Sequence, residues 1–78
     1  MRSRELTAVL TFFTATDAIA MERYCQAHGV PGRLIPTPTS ITADCGMCWR
    51  TSVDRERQAL SAAETAGIPI AGSYQLLL

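Results

Sequence analysis

Seventy-eight residues with seven arginines, no lysine, seven acidic side chains and 47% hydrophobic content make a chain of zero formal charge. The apolar share is too high for a disordered polymer, and the length suits one domain spanning 1–78 with its core over about residues 5–76, burying only about 60% of its unfolded surface. The composition excludes a Schiff-base or phosphate-loop lysine, lacks the basic footprint of a nucleic-acid or membrane-surface binder, and has no run of about 20 apolar residues to span a bilayer.

Along the chain, Met1-Arg2-Ser3-Arg4, the apolar run Leu6 to Phe13 and Ala18-Ile19-Ala20 superficially imitate a secretory leader. Glu5 and Asp17 bracket a short run that contains threonine, which reads better as a buried central strand leading into a helix. Thr14 or Thr16 can cap that helix, with Asp17 in its first turn and Gly29 as its left-handed stop near His28. Ala18, Met21 and Cys25 share one face at i, i+3, i+7 spacing. Arg33-Leu34-Ile35 predicts a short second strand ended by Pro36 and Pro38. The polar stretch Thr37 to Asp44 predicts a loop longer than a tight hairpin needs. Met47 to Thr51 predicts a third strand. Ser52 then caps a second helix ending near Gly67, with Val53, Leu60 and Ala63 inward. Ile68 to Ile70 and Tyr74 to Leu78 supply a last strand interrupted around Ala71-Gly72. The order β-α-β-β-α-β predicts an α+β, ferredoxin-like sandwich: an antiparallel sheet with two helices on one face.

Three cysteines, an odd number, fit free thiols in a reducing cytoplasm better than a disulfide scaffold. The topology puts the loop before Cys45 at the end of the molecule where the first helix begins, and unpaired N–H groups there favour a thiolate. Gly46 leaves room for close approach, with Thr14 and Thr16 in the adjoining turn. Arg50 could add positive charge, although strand alternation turns it to the side of Cys48. Cys25, alone on an apolar helix face, reads as core; Cys48 reads equally as core or function; Cys45, at a loop edge, is the candidate reactive thiol. Cys45-Gly46-Met47-Cys48 is a C-x-x-C, but the following Trp49-Arg50-Thr51 reads as strand rather than as the helix of a thioredoxin-like site. A structural zinc needs four ligands, which two copies could pool. Small ferredoxin-like copper chaperones place their C-x-x-C elsewhere, between the first strand and first helix. The single histidine, His28, suits a helix end, Glu22, Asp44 and Glu56 show no acid pair, and Trp49 and Tyr74 suit packing.

From about Leu6 to Tyr74 the chain resembles a family of small selenium/sulfur carrier-like proteins. The resemblance rests on Phe12 or Phe13 with Ala18 and Glu22, then Arg33-Leu34-Ile35-Pro36-Thr37-Pro38, Asp44-Cys45-Gly46, Ala66-Gly67-Ile68 and Gly72-Ser73-Tyr74. It implies a carrier rather than a turnover enzyme, with Cys45 covalently holding sulfur or selenium received from a donor protein for an acceptor protein. Cys48 departs from the family pattern and is either a resolving thiol or a core replacement. Two alternatives stand beside this: a zinc or copper(I) module using Cys45 and Cys48, and an interaction domain without chemistry.

Overall fold

The run LTAVLTF forms strand β1 (Leu6–Phe12), and every residue in it after Leu6 is buried. The reason is its central position in the computed structural model, which describes residues 4–41 and 45–78. Helix α1 (Ala15–His28) and strand β2 (Arg33–Pro36) follow, then β3 (Met47–Ser52), a single 3-10 turn at Val53–Arg55, helix α2 (Glu56–Ala66) and strand β4 (Ile70–Leu77). The sheet order is β2-β3-β1-β4 and every pairing is antiparallel. Two β-α-β units are thus interleaved, with β1 and β3 inside, as the ferredoxin-like reading requires. Among the described residues, no helix is long and apolar enough to cross a membrane.

Strand register separates the two faces. Leu10 and Leu34 both stand opposite Trp49, and this row joins Phe12, Ala18, Met21, Cys25, Ala59, Ala62, Ala63 and Ile68 in one core beneath the helices. The alternate residues (Thr7, Val9 and Thr11 of β1, Ile35 of β2, Cys48 and Arg50 of β3, Tyr74 of β4) line the face the helices leave open.

Each helix is bounded by local chemistry. Thr14 Oγ1 accepts the Asp17 N–H at 3.1 Å, satisfying an end donor of α1, so Thr14 is the cap and Thr16 an exposed first-turn residue. Gly29, at φ 67°, closes α1, and His28 stacks on Tyr24 with its Nδ1 2.8 Å from the Tyr24 carbonyl oxygen. Helix α2 begins at Glu56, and Ser52, expected to cap it, instead precedes a 3-10 turn and makes no capping side-chain bond. Its hydroxyl and the Asp54 backbone N–H hold the Asp54 carboxyl below the ordinary carboxylate range.

Three further expectations change. Helix α2 turns Ala59, Ala62 and Ala63 inward, while Leu60 is exposed and Val53 half-buried. Ala59, Ala62 and Ala63 join Trp49, Phe12 and Met21 in the one buried cluster, so methyl-sized side chains are what α2 contributes to the core. Strand β2 continues through Pro36, opposite Met47, because an edge strand tolerates a residue without a donor. Strand β4 is continuous: the pairing shifts from Thr11↔Gly72 to Phe12↔Ile70, so Ala71 is an extra residue accommodated as a bulge. On its outer side, Glu56 of α2 accepts hydrogen bonds from Ser73 and Gln75, both at 2.9 Å, tying α2 to β4.

Candidate thiol site

Chain direction determines where Cys45 lies. Strand β1 ends at Phe12, and α1 starts at that end. The β2–β3 ladder closes there too, with Pro36 opposite Met47 and the Thr37 N–H donating to the Gly46 carbonyl at 3.0 Å. Cys45 is therefore carried to the end of the sheet from which α1 departs. Asp44, its neighbour in the family pattern, lies outside the described residues.

Cys45 is half-buried and packs against the helix-side core. Its Sγ donates to the Met47 carbonyl at 3.1 Å, a contact that fixes the side chain and that only the protonated thiol makes. Gly46 is exposed, at φ 76°, with nothing within 4 Å of where a Cβ would stand. The positive φ turns the chain sharply into β3 and favours glycine. The missing side chain leaves the neighbourhood of the sulfur open.

The other two thiols differ. Cys48 is fully buried on the open face of the sheet, with Thr11 and Ile35 as its cross-strand partners. Burial raises its pKa above the ordinary 9.0; the Thr37 hydroxyl opposes that rise, and the neighbouring Cys45 adds to it. Thr37 Oγ1 is itself buried and makes no hydrogen bond of ordinary geometry, so burial sets the direction. Cys25 is buried in the core under α1, and burial raises its pKa as well. Under native conditions a small alkylating reagent should modify Cys45 well before Cys25 or Cys48, read by peptide mass mapping, because reaction requires an accessible thiolate. Equal labelling of Cys48 would show that the sheet does not enclose it.

Of the residues expected to support the thiol, Gly46 adjoins it and Thr14 caps the helix at the same end. Arg50 does not serve Cys45: it points to the open face and stands opposite Arg33. Cys45 packs against the helix-side core while Cys48 belongs to the other face of β3, yet the two thiols are close enough for Cys45 to raise the Cys48 pKa. Among the described residues, no group of three or more His, Cys, Asp or Glu side chains stands together as a metal site. Sequence reasoning missed the Arg33–Arg50 pairing, whose signal lay in the strand register that a hairpin with a long loop hides.

The four-stranded sheet, two helices on one face and a half-buried Cys45 followed by the exposed Gly46 at the sheet end define a small α+β protein with one accessible thiol. The chain belongs to the family described as "Putative Se/S carrier protein-like", which matches residues 7–75. No curated protein and no solved structure matches the chain significantly.

Proposed function

We propose that the protein is a selenium/sulfur carrier that holds one chalcogen atom on Cys45. The observation that carries this reading is exposure: of three cysteines, Cys25 and Cys48 are buried and only Cys45 reaches solvent. Membership of the Se/S carrier-like family supports it.

Loading requires no oxidant when the donor is a protein persulfide. The Cys45 thiolate attacks the outer sulfur, the new Sγ–S bond forms, the donor's S–S bond breaks, and the donor thiolate leaves with that electron pair. Delivery is the same exchange with an acceptor thiolate as nucleophile and Cys45 as leaving group. A selenium atom bound to a donor sulfur follows the same course. Release through Cys48 would instead form a Cys45–Cys48 disulfide, expel hydrosulfide and then require a reductant. The burial of Cys48 and its place on the other face favour direct delivery. The exchange needs Cys45 reduced between rounds, which suits a reducing compartment such as the cytoplasm.

Charging the purified chain with a persulfide donor, removing the donor and adding cyanide should yield stoichiometric thiocyanate. The same sequence with a selenium donor should yield selenocyanate. A charged chain that gives neither overturns the carrier reading.

A further inference from the structure

We propose that the end of the sheet opposite Cys45 carries a binding site for a phosphate-sized oxyanion, held between Arg33 and Arg50. This does not rest on the carrier reading.

An open cleft of about 360 Å³ lies at that end, lined among others by Glu5, Thr7, Gly32, Arg33, Arg50 and Ser52. Arg33 and Arg50 are cross-strand partners in the β2–β3 ladder, on the same face. Side chains so paired have Cβ atoms about 4.5–5.5 Å apart, and like charges placed so repel. A chain of zero net charge, with seven acids available, nevertheless places two arginines there. Neither is joined by an ion pair to a carboxylate among the described residues. Glu5 is the single acid in the lining, set against both guanidinium groups.

Both threonine hydroxyls of the cleft have their protons committed. Thr7 Oγ1 donates to the Glu5 carbonyl at 3.0 Å and Thr51 Oγ1 to the Pro31 carbonyl at 3.0 Å. The guanidinium groups are therefore the charged donors open to a ligand, and two planar forks on neighbouring strands match an anion with several oxygens. No aromatic side chain lines the cleft on which a base could stack. The ligand chemistry is thus a phosphate group, either free or on a small monoester.

The test uses the full chain at low ionic strength, titrated by calorimetry and amide NMR with inorganic phosphate, glycerol phosphate and sodium chloride at matched ionic strength. Expected are saturable amide shifts clustered at residues 5–7, 32–33 and 50–52 with phosphate or its monoester but not with chloride. R33Q, on an exposed position, and R50Q should each weaken binding at least about tenfold, while R57Q on α2 leaves it unchanged. Tighter binding of the monoester identifies an organic ligand, equal binding a free anion, and both support the site. A chloride response equal to that of phosphate, or R33Q binding as well as the parent, overturns it. Should R50Q fail to fold, R33Q alone decides.

Discussion

Gly32→Ala is expected to remove about half of the stability of this fold. Gly32 sits at φ 139°, a region L side chains rarely adopt, immediately before β2. A Cβ there would stand 2.6 Å from Cε2 of Trp49 and 2.7 Å from the Arg50 carbonyl oxygen. Neither neighbour can retreat cheaply: Trp49 is 1% exposed at the centre of the core, and the carbonyl belongs to the backbone of β3. Backbone strain of about 1–3 kcal/mol adds to about 1–3 kcal/mol of overpacking. A chain of this length has a total stability of about 4–12 kcal/mol, so the change consumes a large part of it. Gly29→Ala is the matched control, since Gly29 is also left-handed, at φ 67°, but has nothing within 4 Å of a Cβ. It should cost about 1–2 kcal/mol. Urea midpoints of the two variants decide the matter, and equal midpoints would mean that Gly32 does not press on Trp49.

Cys45→Ser should abolish chalcogen loading while leaving the fold intact. A serine hydroxyl is small enough for the half-buried site and can donate to the Met47 carbonyl as the thiol does at 3.1 Å. It cannot form the persulfide. Thermal melts should therefore stay close to the parent, and intact-mass measurement after charging should show no added sulfur. Cys48→Ala and Cys25→Ala provide the contrast. Both remove buried sulfur from a packed environment and should lower stability, yet both should load stoichiometrically. Loading that survives in Cys45→Ser but fails in Cys48→Ala would move the carrier role to the buried thiol and discard the exposure argument.

The interaction-domain alternative predicts that all three cysteines can be replaced without functional loss, so the same variants separate it from the carrier. The metal alternative, in which Cys45 and Cys48 of two copies pool their thiols, predicts metal in anaerobically purified protein that is lost in Cys48→Ser; substoichiometric metal indifferent to that change discards it.

Much of this protein was legible in its residues because the signals were local. The run of apolar residues and threonines at Leu6–Phe12 announced a strand with neighbours on both sides, which is what a central strand requires. Thr14 or Thr16, Gly29 and Gly67 marked helix ends because caps depend on hydrogen bonds and dihedral angles within a few residues, and the structure chose Thr14. With those elements in order, short connections left few arrangements beyond interleaved β-α-β units. The Cys-Gly edge and the family resemblance were likewise readable without coordinates.

Other features depended on residues distant in sequence. Which face of α2 is buried follows from how the helix docks on the core, which buries Ala59, Ala62 and Ala63, so periodicity alone misassigned Leu60. The bulge at Ala71 exists only relative to β1. The partner of Arg50 is set by the β2–β3 register, and a one-residue slip would have reversed it. Local sequence thus determined the elements, their order and the thiol at the sheet end. Tertiary pairing decided which side chains face each other across strands, because register and packing are settled by contacts between segments and not within them.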